Sequence, residues 1–306
     1  MSLAAAAQRS QPALEHTTRQ VAAVANGWLH WVDELAKGGS DRHRPSGLAD
    51  LDKLGPIIHD GHLIVVAGRP AMGKTALALG IAEAVAGGKR SALFFSVEMS
   101  AFELVQRVIA KGSGVPIPRL QQPRTLTRDD WRRITDCALG EVTKLSLLLN
   151  DSARTMNEIV DVSRRAVADL ESRGSPTLGL ILVDYLQLIQ GPGNSQNRTI
   201  EVGRVSRELK RLAMELAVPV IAVAQLNRAL EARPNKRPML ADLRDSGEIE
   251  QNADAVLFLY RDEVYNETSR EKGIAELIVA KNRHGPSGSA IRLAWHPERC
   301  TFADLA

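Results

Sequence analysis

Fifteen residues carry the densest chemistry in the chain: Gly61-His-Leu-Ile-Val-Val-Ala-Gly-Arg-Pro-Ala-Met-Gly-Lys-Thr75. Within them Gly68-x-x-x-x-Gly73-Lys74-Thr75 has the spacing of a phosphate-binding loop. The glycines let backbone N–H groups converge on phosphate oxygens, the Lys74 ammonium reaches the outer phosphates, and the Thr75 hydroxyl ligates Mg²⁺. The same pattern places Arg69, Pro70, Ala71, Met72 and Ala76 around the nucleotide, so ATP and Mg²⁺ are the implied ligands. Three further groups follow apolar runs. Glu98 lies just past Ser91–Ser96, Asp184 closes Leu178–Asp184, and Gln225 follows Pro219–Ala224. In open α/β sheets, groups at the carboxyl ends of strands face the ligand crevice. Glu98 is the candidate to orient and deprotonate an attacking water, although a glutamate in that place also serves as a solvated loop residue or a helix cap. Asp184 is the candidate to hold Mg²⁺, partly through its water shell.

These residues need elements to position them. Leu63–Ala67 is apolar throughout, as in a strand covered on both faces, and Lys74–Ala86 reads as a helix ending at Gly87-Gly88. Helices follow over Ala101–Lys111 and Thr127–Leu139, the latter opened by the N-cap signal Thr127-Arg-Asp-Asp130, with a proline-punctuated loop from Pro116 to Pro123 between them. Leu145–Leu149 reads as a strand and Thr155–Arg173 as a helix. The polar loop Gly191–Arg198 leads to a charged helix from about Thr199 to Leu216. Asn227–Asp245, rich in proline and charge, reads as a mobile loop carrying Arg228, Arg233, Lys236, Arg237 and Arg244, either solvated or in contact with nucleic acid. After the strand Ala255–Tyr260, alternation in Ala275–Lys281 and Ser289–Trp295 predicts a hairpin whose tip presents Lys281 and Arg283. The fold class is α/β, a mostly parallel central sheet flanked by helices with a C-terminal β-hairpin.

Ahead of this body, residues 1–12 read as disordered. Residues 13–37 read as an amphipathic helix, with Val21, Val24, Trp28, Trp31 and Leu35 on one stripe and Gly38-Gly39 as its stop. That stripe packs either on its own domain or, across the linker Gly38–Pro45, on a neighbouring subunit. Organisation is therefore an N-terminal arm over 1–45 and one domain over 46–306.

At 306 residues, with 25% charged, 44% hydrophobic and 4% aromatic side chains, the composition is that of a globular protein with an aliphatic core. The apolar runs fall short of a bilayer span and the start lacks a secretory pattern, so a cytoplasmic location without membrane association is expected. Cys137 and Cys300 have no ligand-spaced partners, so neither a disulfide nor a zinc site is expected. The net charge of +3 permits a polyanionic partner without requiring one.

The order of loop, strand-end Glu98, Asp184 and Gln225, and basic hairpin is similar to that of RecA-like P-loop ATPases. Seven blocks go further: Ala67-Gly-Arg-Pro-Ala-Met-Gly-Lys-Thr75, Phe95-Ser-Val-Glu-Met99, Val183-Asp-Tyr-Leu-Gln-Leu188, Ala224-Gln-Leu-Asn-Arg228, Asp242-Leu-Arg-Asp-Ser-Gly-Glu-Ile-Glu-Gln251, Tyr260-Arg-Asp-Glu-Val-Tyr265 and Lys281-Asn-Arg-His-Gly-Pro286. In sequence they resemble the bacterial and phage replicative DNA helicases of the DnaB type. The resemblance implies a RecA-like ATPase domain and a homo-hexameric ring. Such a ring translocates 5′ to 3′ on single-stranded DNA at a replication fork and unwinds duplex, with helicase loader and primase as possible partners. It assigns Glu98 as catalytic base, Lys74, Thr75 and Asp184 to phosphate and magnesium, Gln225 to sensing the γ-phosphate, and Arg107 to a further phosphate contact. Lys281 and Arg283, with Asn282 between them, resemble the finger that enters the neighbouring subunit's nucleotide site. Arg244, Asp245 and Gly247 fall where the family contacts the DNA backbone, Asp245 standing where a glutamate is usual. Arg198 joins these as a loop cation for DNA.

Such helicases usually carry a helical N-terminal domain ahead of a linker helix. Residues 13–37 match the place and character of that linker helix, which in the family docks on an adjacent subunit, so the resemblance favours the intermolecular reading of the stripe. Few aromatics lie in the candidate DNA loops, so backbone contact without base stacking is expected. Two other readings compete: a RecA-like recombination or repair ATPase that forms filaments, and a non-catalytic nucleotide-binding scaffold. The Lys281-x-Arg283 hairpin speaks against the first, and intact Lys74, Glu98 and Asp184 speak against the second.

Overall fold

The structure, a computed structural model, describes residues 21–37, 42–191 and 198–305. It divides into two compact units, Met1–Arg42 and His43–Ala306. In the first, α1 (Val21–Ala36) is a regular helix on which Val21, Val24, Trp28 and Leu29 are exposed. Residues 1–20 and Gly38-Gly39, and with them the expected disordered start, helix start and helix stop, lie outside the described residues.

In chain order the second unit contains α2 (Ala49–Asp52), β1 (Leu63–Gly68), α3 (Lys74–Ala86), β2 (Ser91–Ser96), α4 (Ala101–Ser113), α5 (Ile117–Leu120), α6 (Arg128–Gly140) and β3 (Leu147–Asn150). It continues through α7 (Met156–Ser172), β4 (Leu178–Asp184), α8 (Arg198–Leu216), β5 (Val220–Gln225), α9 (Gly247–Asn252), β6 (Ala255–Tyr260), β7 (Ile274–Asn282), β8 (Ala290–His296) and β9 (Thr301–Asp304). These strands form one nine-stranded sheet, ordered β3-β2-β4-β5-β1-β6-β7-β8-β9. Pairing is parallel from β3 to β6 and antiparallel from β6 to β9.

The central strands are buried along their whole length because helices cover both faces, and residue parity divides the core in two. Ile64, Val66, Phe94, Leu182 and Val223 pack with α3 and α4 on one face. Leu63, Val65, Phe95, Val183 and Ala222 pack with α7 and α8 on the other. Phe94 and Phe95 are fully buried on opposite sides, each burial contributing about 1.5–3 kcal/mol. Capping boxes start three helices, Ser100 with Glu103, Thr127 with Asp130, and Thr155 with Glu158. Each box gives two otherwise unpaired backbone N–H groups an acceptor.

Several elements differ from the sequence expectation. The proline-punctuated segment contains α5 and a 3₁₀ turn over Pro123–Thr125, because Pro118 and Pro123 occupy first-turn positions where no N–H is required. Asn227–Asp245 is not an open loop. It holds 3₁₀ turns at Arg228–Ala232 and Leu240–Ser246, and ion pairs of Arg233 with Asp242 at 2.7 Å and of Arg237 with Glu276 at 2.5 Å. Two of its five expected solvent or nucleic-acid cations are thus committed within the fold. Arg198 is the first residue of α8 rather than a loop residue, and residues 192–197 before it lie outside the described residues. Short α9 and edge strand β9 have no counterpart in the sequence expectation.

Candidate active site

The sheet register brings the separate motifs together. Gly68 at the end of β1 pairs with Gln225 at the end of β5, and Ser96 at the end of β2 pairs with Asp184 at the end of β4. Glu98 follows two residues beyond Ser96 and α3 begins at Lys74, so all the strand-end groups open on one edge of the sheet. There a cavity of about 500 Å³ is lined by Pro70, Ala71, Gly73, Lys74, Thr75, Ala76, Glu98, Arg107, Asp184 and Gln225. Met99, Glu103, Tyr185, Trp295 and Cys300 complete its wall.

Two glycines are required by close approach. A Cβ on Gly68 would lie 2.8 Å from the Leu259 carbonyl oxygen. Gly73 has φ 97°, and a Cβ there would lie 2.8 Å from the Phe302 ring. The turn before α3 therefore folds tightly onto Trp295 and Phe302 and points the helix N-terminus at the cavity, an arrangement suited to anions. Ala71 also takes a positive φ of 64°, and its carbonyl accepts a 2.9 Å hydrogen bond from Arg261, whose guanidinium lies 4.6 Å from the Trp295 ring centroid.

The electrostatics suit a charged ligand. Lys74 donates to the Arg69 carbonyl at 3.0 Å. Burial pulls its pKa down to about 8, against the opposing pull of Asp184 and Glu98. Burial likewise raises the Asp184 carboxyl, while the nearby Thr75 hydroxyl and Lys74 charge act the other way. Desolvation disfavours both charges, and a phosphate or a divalent cation would favour them. Gln225 is fixed by reciprocal amide contacts: Gln187 Nε2 donates to its carbonyl at 3.0 Å, and its own N–H donates to Gln187 Oε1 at 3.1 Å.

Other expected site residues lie elsewhere. Met72 is buried in the core, and the Arg69 side chain turns away from the cavity to pair with Glu231 at 2.7 Å. Lys281, Asn282 and Arg283 do not line this chain's cavity. Nor do Lys281 and Arg283 project from the hairpin tip. Lys281 Nζ donates to the Glu250 and Ala253 carbonyls, and Arg283 Nη2 donates to the Gln251 carbonyl at 2.6 Å, so both cap the C-terminal end of α9. Burial and the Arg283 charge pull the Lys281 pKa down. Arg244, Asp245 and Gly247 sit where the Leu240–Ser246 turn runs into α9; the side chains of Arg244 and Asp245, like that of Arg198, lie outside the described residues.

Sequence reasoning does not single out Tyr185, Glu103, Trp295 or Cys300. Tyr185 directly follows Asp184 and is within reach of the strand-end argument. Trp295 and Cys300 come from the far end of the chain, and only the β6-β7-β8-β9 pairing carries them beneath the phosphate loop.

A phosphate loop, a strand-end acid and a strand-end glutamate on a mostly parallel sheet with an antiparallel edge define a RecA-like P-loop NTPase. Residues 44–304 match the DnaB-like helicase C terminal domain, and the chain belongs to that family. The "Replicative DNA helicase DnaB" of Pasteurella multocida is 43% identical over 263 residues, covering 85% of this chain and 55% of that relative. The protein of the same name from Geobacillus stearothermophilus is 43% identical over 85% of this chain and 56% of its own length. The chain thus spans about half the length of the curated relatives it matches. Among solved structures, an isolated ATPase domain superposes with TM-score 0.82 at 32% identity, over 92% of this chain and 99% of that one. "The Structure Of A DnaB-Like Replicative Helicase And Its Interactions With Primase" superposes with TM-score 0.81 at 32% identity, over 95% of this chain and 68% of that one.

Proposed function

We propose that this chain is the motor of a replicative DNA helicase, hydrolysing ATP at the boundaries of a six-membered ring to move along single-stranded DNA and part the duplex. The observation that carries this reading is the convergence of Lys74, Thr75, Glu98, Arg107, Asp184 and Gln225 on one cavity in a member of this family. In it Lys74 and the N–H groups opening α3 hold the phosphates, while Glu98 takes the proton of the attacking water. Arg107 steadies the phosphate chain, and Gln225 reads the outermost phosphate and passes its presence along the segment that follows β5.

The residues fit magnesium. The Thr75 hydroxyl and the Asp184 carboxylate line the same cavity, next to Lys74. Among the described residues no cluster of three or more His, Cys, Asp or Glu forms a metal cage. Magnesium is typically held by one or two protein oxygens together with water and phosphate. The ion would neutralise charge on the transferred phosphoryl group.

Lys281 and Arg283 serve the neighbouring subunit's site, a role in keeping with their place outside their own chain's cavity. Arg198, Arg244, Asp245 and Gly247 grip the DNA backbone, and α1 docks on an adjacent subunit. Helicase loader and primase are further partners in this reading, and one structural relative is described together with its interactions with primase. Among the described residues no helix is long and apolar enough to cross a membrane. The test is ATPase turnover with and without single-stranded DNA, assayed beside strand displacement on a forked duplex. Turnover indifferent to DNA together with an intact fork would refute the proposal.

A further inference from the structure

Arg69 occupies the first variable position of the phosphate loop, yet its guanidinium faces away from the cavity and the residue is only 7% exposed. Its Nε donates to Glu231 Oε1 at 2.7 Å and its Nη1 to the Leu226 carbonyl at 2.8 Å. At the other end of the same residue, the Arg69 carbonyl accepts the 3.0 Å hydrogen bond from Lys74 Nζ. One residue thus touches the catalytic ammonium through its backbone and the segment after β5 through its side chain.

That segment is braced as a unit. Glu231 lies in the Arg228–Ala232 turn, which Asn227 caps by accepting from Ala229 N at 3.1 Å. Asn227 N donates to the Asp242 carbonyl, and Asp242 Oδ2 takes both Arg233 Nη2 and Met239 N. From Asp242 the Leu240–Ser246 turn runs directly into Arg244 and Asp245. A displacement of the 240–246 turn therefore moves Glu231 with it. A buried guanidinium must follow its carboxylate or be left as an unpaired charge.

We propose that Glu231 is a positioning residue of the ATPase centre: through Arg69 it ties the segment 227–246 to the phosphate loop, so that a strand held by that segment sets the placement of Lys74. The inference rests on the helicase reading for the assignment of that segment to DNA. Coupling between sites is typically 5–150-fold, and a contiguous chain of charged hydrogen bonds is a physical route for it.

The test compares wild type, Glu231→Gln and Glu231→Ala, using oligothymidylate as the strand. The ratio of strand-stimulated to basal ATPase, read at saturating oligonucleotide, should fall about tenfold in the alanine variant. Glutamine keeps an acceptor oxygen without the charge, so its loss should be intermediate. In wild type, adding the oligonucleotide should change amide hydrogen exchange over residues 68–75, and in Glu231→Ala that response should vanish. Stimulation that survives in Glu231→Ala would overturn the proposal, as would basal and stimulated rates falling together. A wild-type chain that binds no oligonucleotide and shows no stimulation would sink the helicase reading and this proposal with it.

Discussion

If Arg283 completes a neighbour's site, two inactive variants should repair each other. Arg283→Ala subunits keep Lys74, and Lys74→Ala subunits keep Arg283. Arg283 and Lys281 are absent from the wall of their own chain's cavity and rest on the carbonyls of Gln251, Glu250 and Ala253. Arg283→Ala alone should be reduced on the order of 10³–10⁵-fold in turnover, the range for a supplied arginine finger, and Lys74→Ala should be inactive for want of the ammonium that cradles the outer phosphates. In a head-to-tail ring assembled from an equal mixture, a boundary is complete when an Arg283→Ala subunit supplies the phosphate loop and a Lys74→Ala subunit the finger. Random assembly makes that about one boundary in four. Mixed rings should therefore recover roughly a quarter of wild-type ATPase, against essentially none for either parent. The assay is steady-state phosphate release after the two proteins are mixed under subunit-exchanging conditions, with circular dichroism confirming that Arg283→Ala is folded. Rings shown to be mixed by mass that recover nothing would refute the trans assignment. So would an Arg283→Ala protein with full activity by itself.

Glu98→Gln should leave nucleotide binding nearly intact, as read by equilibrium titration, and slow hydrolysis about 10²–10⁴-fold because the amide keeps the shape without the base. Gly73→Ala should lower the unfolding free energy by about 2–4 kcal/mol in chemical denaturation, adding left-handed strain for a residue with a Cβ to the Phe302 clash; Gly73→Ala with Phe302→Leu should recover only the clash, and full recovery would mean that φ 97° carries no strain. Burial is the main reason His62 has a pKa near 4 rather than 6.5, with Asp254 pulling upward and His59 and His284 downward. The folded state therefore resists a proton that the unfolded chain accepts. Stability is complete above pH 6.5 and, with the shift discounted for solvent screening, should fall by on the order of 2 kcal/mol as pH drops towards 4. His62→Gln should flatten that slope in urea midpoints measured across the window, and an unchanged slope would assign the acid sensitivity to another group.

The legible parts of this chain are those whose signals are local. A run such as Leu178–Asp184 or Ser91–Ser96 reads as a strand because burial on both faces leaves no polar position, and the structure places both strands within those bounds. Lys74, Thr75, Glu98 and Asp184 are legible because strand ends in open sheets share one edge. Trp295, Cys300 and Glu231 are not, since each reaches the site region through pairing or packing over long sequence separation that no window contains. The segment after β5 departs from its expectation for a related reason. Proline and charge signal a loop, but whether a charged loop is loose or pinned depends on partners such as Asp242 and Glu276, and the sequence does not reveal the pairing.

The resting place of Lys281 and Arg283 follows from how helices end. The last carbonyls of a helix have no intrahelical donor and sit at the negative end of its dipole, so cations nearby settle there. In α9 those acceptors are Glu250 and Gln251, with Ala253 just beyond. Under the proposed trans role, both side chains exchange carbonyl oxygens for phosphate oxygens at the neighbour. Charge-assisted contacts to an anion are stronger than those to neutral carbonyls, which favours the exchange once nucleotide is present. Arg283 also lies 3.6 Å from the Asp254 carboxylate, which Lys210 holds at 2.7 Å. When Arg283 leaves, Asp254 therefore keeps a cation, and no buried charge is stranded on the donating subunit.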